Sequence, residues 1–325
     1  MLRFLVRRTL GALVILLFIS AFTFFLFFAV PHDPALLSCG KNCTPQNIEL
    51  IHHNLGLDHP IPVQYWNYMV RIFTGHRFSA GNCPAPCLGY SFANSEPVWP
   101  TLVNRLPTTI SLAAGGTVVF LIVGLGSGML AAWKRGTFID KVFSSASLVL
   151  SSMQIYFLGP IVLALLVYNN QIFDQPKYVP ITQNPVAWFS GLLIPWCVLS
   201  VIFTANYTRM SRSTMIEQLQ EEHVRTARAK GMSSAYVFFR YAWRGSLIPI
   251  VTILGIDLGA LFGGAIITEY TFQLAGLGRL AVDSVSKTDL PMLMGVMLFS
   301  ATLIVLFNII VDAVYAFIDP RVRLS

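Results

Sequence analysis

Charge is scarce in this sequence. Only 11% of its 325 residues are Asp, Glu, Lys or Arg, against roughly 25% in soluble domains. Familiar chemical motifs are missing as well. No G-x-x-x-x-G-K-[ST] occurs, which excludes a P-loop nucleotide site on this chain; GLGSG (124–128) is only a fragment of one, with the wrong spacing and no strand before it. No H-E-x-x-H occurs. His52 and His53 are adjacent, so on a helix they point to different faces and make a poor ligand pair. No nucleophile, base and orienting group can be assembled from loops on one side. The sequence therefore assigns no catalytic residue, no metal and no cofactor held by this chain.

Apolar length is abundant instead: 55% of residues are hydrophobic and the mean hydropathy is +0.65. Stretches at about 9–30, 109–133, 143–168, 188–208, 247–268 and 292–317 each reach the roughly 20 apolar residues that a helix needs to cross a bilayer. An all-α integral membrane protein with six spans is expected, because lipid forces each backbone group to bond within its own helix. The first run exceeds the 7–15 residues of a signal-peptide core, and its exit FFAVPHDP lacks a small-residue cleavage site, so it reads as an uncleaved anchor.

Lys and Arg set the orientation. Arg3, Arg7 and Arg8 precede the first span, and Lys134, Arg135 and Lys141 fall between the second and third. Arg209, Arg212, Arg225, Arg228, Lys230, Arg240 and Arg244 fall between the fourth and fifth, and Arg321 and Arg323 follow the sixth. All lie on one side, which the positive-inside rule makes the cytoplasm, with both termini there. The net charge of +7 is thus a topology signal and does not point to nucleic acid.

Residues 31–105 form one large external segment. Pro31 and Pro34 stop the first helix. Thr44 followed by Pro45 starts a short amphipathic helix (44–57), and PVQYWNYMVRIFTG (62–75) forms a second that ends at Gly75. Four of the five cysteines lie here, as Cys39-x-x-x-Cys43 and Cys83-x-x-x-Cys87. Disulfides on an oxidising side fit this placement better than zinc, which more often uses C-x2-C pairs; the spacing leaves the pairing open. Cys197 reads as a small buried apolar residue of the fourth span.

Within the spans, Gly124/Gly128 and Gly255/Gly259/Gly263 recur every four residues and form small faces for close helix packing. Asp257 is the one acid expected inside a span. It either lines a translocation path or reaches a loop arginine near a helix end.

The densest charge lies in EEHVRTARAKGM (221–232). Met215 to Lys230 lacks proline and glycine and predicts one helix, with Glu221 and Glu222 placed four and three residues before Arg225. Met215, Leu219, Val224 and Ala227 supply a weak apolar stripe. Gly231 offers a left-handed stop, and Ser233 or Ser234 can cap a further helix near Ala235. Such a helix between two membrane anchors suits docking into a partner's groove, or is simply a solvated connection.

The stretch EHVRTARAKGMSSAYVFFRYAWRGSLIPIVT (222–252) resembles the cytoplasmic loop of B-type permease subunits of dipeptide/oligopeptide and nickel ABC importers. FAVPHDP (28–34), NLGLDHPIPVQYWNYM (54–69), NRLPTTISL (104–112), ITEYTFQLAGLGRL (267–280) and DPRVRLS (319–325) extend the likeness over essentially the whole chain. The resemblance implies a type I ABC importer permease fold. It places an N-terminal helix at 1–30, an external segment at 31–100, a permease domain at 101–318 and a cytoplasmic tail at 319–325. It also implies partners: a homologous second permease subunit, two cytoplasmic ATPases that bind ATP and Mg, and an external solute-binding protein, in a bacterial inner membrane. The family's E-A-A-x-x-x-G coupling motif falls on Arg225, Thr226, Ala227 and Gly231, without its glutamate, and its later proline on Arg244. Glu221, Glu222, Arg228, Ala229 and Lys230 complete the coupling segment this likeness implies. The insert 75–99 departs from the family's usual G-D-L-G-x-S. Peptide is the expected cargo, with nickel or another small solute, or a transporter working without an ATPase, as alternatives.

Overall fold

The computed structural model describes residues 2–30, 33–39, 44–79 and 81–318, without the side chains of 2–6, 260, 262–264 and 312–318. Cys43, Pro31 and the tail 319–325 with Arg321 and Arg323 lie outside the described residues, as do the side chains of Arg3 and Gly263's neighbours. The first helix is α1 (Leu2–Phe28). Next come α2 (Pro45–Leu55) and α3 (Ile61–Thr74), then the hairpin of β1 (His76–Phe78) with β2 (Gly81–Cys83). A second hairpin pairs β3 (Tyr90–Ser91) with β4 (Glu96–Pro97). The chain then forms α4 (Val98–Phe120), a π turn over Leu121–Leu125, and α5 (Gly126–Trp133). Next come α6 (Phe138–Ser151), α7 (Ile155–Val162), α8 (Pro185–Gln218), α9 (Glu222–Ala229) and α10 (Ser234–Val237). The last elements are α11 (Trp243–Gly264), α12 (Ile266–Thr271), α13 (Leu277–Ser286) and α14 (Leu290–Ile318).

Among the described residues, five helical stretches are long and apolar enough to cross a membrane: Arg7–Phe28, Val98–Trp133, Pro185–Gln218, Ser234–Gly259 and Leu290–Val311. The third apolar run differs from its expectation. Phe138–Ser151 and Ile155–Asn169 meet at 101°, and only as one broken crossing do they bring the total to six. At the break Ser151 Oγ and Ser152 Oγ both donate to the Leu148 carbonyl, and the backbone is extended at Gln154. α8, with 34 residues, is about 51 Å long at 1.5 Å per residue. It outreaches a roughly 30 Å hydrocarbon core, which puts Arg209 and Arg212 on helix rather than in a loop.

Two compact units share the chain. One contains Met1–Ile110, Phe262–Tyr270 and Leu274–Ile309; the other contains Ser111–Leu261, Thr271–Gln273 and Ile310–Ser325. In the first, Val98, Leu102, Leu277, Leu280, Met292 and Val296 form a buried cluster. The insert has its own small core of Phe78, Cys83, Cys87 and Tyr90, with Phe92 against it, closed by the Cys83–Cys87 disulfide. Cys39 is also disulfide-bonded. Cys197 is a free thiol and exposed, lying on the surface of α8 rather than in its packed face.

In the second unit, glycines let helices touch. A Cβ on Gly124 would lie 2.8 Å from Tyr207 Cβ, and one on Gly128 would lie 2.6 Å from the Thr208 carbonyl. Gly115 and Gly116 give the same room to Trp196 and Leu199. The small-face expectation thus holds on α4–α5, whose partner is α8. Across this contact Ser127 Oγ and Thr208 Oγ1 bond at 2.7 Å.

Candidate functional site

The charged segment is two pieces of helix, not one. α8 ends at Gln218 and α9 begins at Glu222. The turn between them tightens through bonds from Gln220 N to Glu217 O (3.0 Å) and Glu221 N to Gln218 O (3.3 Å), and Glu221 becomes the extended N-cap. No proline or glycine signals this break. Its cause is tertiary: Leu219 packs both on the cluster of Ala132, Met215, Phe238 and Ala242 and on that of Val224, Ala227 and Val237. One burial at each end of the turn outweighs local helix preference.

The end of α9 is as the sequence suggests. Gly231 has φ +79°. Gly231 N donates to Arg228 O at 2.9 Å and Met232 N to Ala227 O at 3.3 Å, the paired bonds of a Schellman motif, with Met232 packed on Ala227's cluster. Ser233 then caps α10, its Oγ accepting from Tyr236 N.

α9 therefore has two faces. Val224 and Ala227 are buried against Val237, Leu219, Met232 and Tyr241. Glu222, Arg225, Thr226, Arg228, Ala229, Lys230 and Glu221 are exposed. Arg225 Nη1 meets Glu222 Oε1 at 2.9 Å, both side chains well solvated, a geometry that contributes at most about 1 kcal/mol. The charged face is thus free for another surface, and the apolar face fixes its direction.

The helix that leads to α9 is anchored by a pair the sequence did not reveal. Asp140, buried at the start of α6, accepts from Arg212 Nε at 2.6 Å and Nη2 at 2.9 Å, and from Gly136 N at 3.0 Å. Gly245 in turn makes room for the Gln218 side chain, which a Cβ there would strike.

Asp257 is half-buried on α11, and among the described residues the buried Tyr207 hydroxyl of α8 makes no hydrogen bond. Among the described residues Asp257 forms no ion pair, so the alternative of a loop arginine is not what the structure shows.

A second buried carboxylate went unnoticed in sequence. Glu269, on α12, is fully buried. It accepts from Thr109 Oγ1 (2.6 Å), Gly278 N (2.7 Å) and Arg279 N (3.1 Å), and Thr109 Oγ1 accepts from Leu277 N (2.9 Å). The carboxylate thus satisfies the open amides at the N-terminus of α13 from a distance. Burial pushes its acidity down, raising the pKa above 4.5, while the bonds from Thr109, Arg279 and Gly278 and the Arg105 charge oppose that shift. Asp289 behaves alike: burial raises its pKa against bonds from Ser91 and Met292 N. The described residues contain no cluster of His, Cys, Asp and Glu suited to a metal ion.

Residues 124–324 match the family model described as binding-protein-dependent transport system inner membrane component, and residues 1–113 match that of the N-terminal region of such membrane components. The chain is 32% identical to a probable peptide ABC transporter permease protein of Sinorhizobium fredii, over 98% of this chain and 99% of that one. It is 34% identical to the di/tripeptide transport system permease protein DppB of Pseudomonas aeruginosa, over 99% of each chain. With the glutathione transport system permease protein GsiC of Escherichia coli it shares 31% identity, again over 99% of each.

Proposed function

The chain belongs to the binding-protein-dependent transport system inner membrane component family, and on that premise we propose that it is a permease subunit of an ATP-driven importer of short peptides. It supplies half of a translocation pore and no ATP chemistry of its own. A second, homologous permease subunit completes the pore; two cytoplasmic ATPases bind ATP and Mg; an external binding protein delivers the peptide. The chain sits in a bacterial inner membrane with both termini in the cytoplasm.

The observation that carries this reading is the two-faced α9. It is short, its Val224 and Ala227 face is sealed onto its own chain, and its charged face from Glu222 to Lys230 is open. A lever of this kind transmits a push only if it cannot roll, and the buried face, the Gly231 stop and the Leu219 turn all oppose rolling. Closure of the ATPases presses on α9; the force passes into α8 and α10–α11 and moves the spans that line the pore. Asp257, half-buried on α11, is the pore-side group of this reading.

The test is affinity purification in mild detergent, followed by mass spectrometry and a vanadate-sensitive ATPase assay. Recovery of a second permease and ATPase subunits supports the proposal. A lone subunit that moves peptide in liposomes without ATP sinks it and favours a transporter of another kind.

A further inference from the structure

We infer that an external polar pocket in the first unit is a subsite for the two charged ends of a short peptide, a step that rests on the peptide reading above. The pocket has a volume of about 230 Å³ and is lined by Asn94, Glu96, Arg105, Asp283, Ser284 and Lys287, with Leu280 at one side. That is slightly below the roughly 300–1,000 Å³ of ordinary small-molecule sites, so it takes a small ligand.

Its construction follows from the elements. Leu280, Asp283, Ser284 and Lys287 recur at three- and four-residue steps, so α13 turns one face to the pocket. β4 contributes Glu96 and the second turn of α4 contributes Arg105. Residues 94–105 precede the second span and 280–287 lie between the last two, on the side opposite the basic loops.

The charges are what single this pocket out. It holds two cations and two carboxylates. Asp283 is only loosely paired with Arg279, at 3.7 Å. Lys287 Nζ donates to Asn94 Oδ1 at 3.1 Å, and Asn94 is itself held by its backbone N–H on Ser91 Oγ, at 3.0 Å. Arg105 and Glu96 are half-buried, yet among the described residues neither makes a hydrogen bond or ion pair, with each other or elsewhere. The nearby Glu269 feels the Arg105 charge but takes its hydrogen bonds from Thr109 and the amides of α13. Two opposite charges left partly desolvated in one pocket are costly. A ligand with a single charge relieves only one of them. A zwitterion relieves both, its carboxylate taken by the guanidinium of Arg105 with Lys287 behind it, its ammonium by Glu96 with Asp283.

The test uses the complete importer complex purified in detergent, without binding protein, and saturation-transfer NMR with dialanine. Transfer to dialanine is expected, with little or none to its N-acetylated, C-amidated derivative. Arg105→Gln and Glu96→Gln should each weaken dialanine binding about tenfold, as for a lost charged hydrogen bond. Lys287→Gln, at the exposed rim, should weaken it less and serves if the others fold poorly. A wild-type complex that imports dialanine in proteoliposomes yet gives no transfer overturns the subsite and leaves the peptide reading intact. Equal transfer to the uncharged derivative also overturns it. Variants that keep dialanine binding but need more binding protein for half-maximal ATPase stimulation would instead make this a docking surface. A wild-type importer that moves no peptide overturns the reading beneath the inference and the inference with it.

Discussion

Arg212 grips Asp140 with two bonds at once, Nε to Oδ1 at 2.6 Å and Nη2 to Oδ2 at 2.9 Å. The pair ties the start of α6 to the last turns of α8, just before the chain folds into α9. Asp140 is buried and Arg212 is 31% exposed, so removing either partner strands the other in a poorly solvated place.

For Arg212→Met we expect a loss of about 3 kcal/mol, the low end for a broken buried pair because Arg212 keeps some water. The double variant Asp140→Leu/Arg212→Met should recover much of that loss. Thermal unfolding of the detergent-solubilised protein measures both, and an additive double variant would show that the two residues do not act together.

The contact of α5 with α8 predicts a contrast between two neighbouring glycines. A Cβ on Gly128 would meet the Thr208 carbonyl at 2.6 Å and Ser211 Cβ at 2.7 Å, whereas one on Gly126 would meet nothing within 4 Å. Gly128→Ala should therefore cost about 1–3 kcal/mol by forcing the helices apart. Gly126→Ala should be neutral, or stabilise by up to about 1 kcal/mol through helix propensity. The same unfolding assay separates them, and equal effects would contradict close packing at Gly128.

Glu269 predicts a dependence on pH. Its folded pKa is raised above 4.5 by burial, so the folded state binds the proton more tightly than the unfolded state does. The contribution is fully present below about 4.5 and is lost as pH rises through the raised folded value. Glu269→Gln keeps a carbonyl acceptor for the α13 amides and cannot titrate. The unfolding temperature of the native protein, relative to this variant, should fall as pH increases from 4.5 upward. Parallel curves would mean that the carboxylate does not titrate in that window.

Much of this architecture is legible in sequence where its cause is local. Thr44 accepts from Asn47 N to open α2, Gly75 (φ +75°) closes α3 and Gly231 (φ +79°) closes α9; each is a residue type with one strong reason to be there. The apolar runs locate the spans because length against bilayer thickness is a one-dimensional criterion. What escapes is set by distance along the chain. Asp140 and Arg212 are 72 residues apart and Thr109 and Glu269 are 160 apart, so in sequence Arg212 is only another basic residue near a span. The turn at Leu219 escapes for the same reason, since it answers to Phe238 and Val237 rather than to its neighbours. The 101° break in the third span falls inside one apolar run, where hydropathy does not register it. The hairpins of the insert are too short for alternation to show.

If α9 couples the ATPases to the pore, ATP-driven peptide uptake by the reconstituted importer depends on how α9 is seated. Val224 is fully buried on the inner face of α9, and Gly231 supplies both a left-handed turn and an N–H that donates to the Arg228 carbonyl. Val224→Asp should lift the helix from its seat, and Gly231→Pro should lose the φ and the N–H together. With assembly intact, the account predicts that uptake falls at least tenfold while the ATPases keep hydrolysing ATP at their unstimulated rate. Normal uptake and normal binding-protein-stimulated ATPase activity in both variants would contradict it.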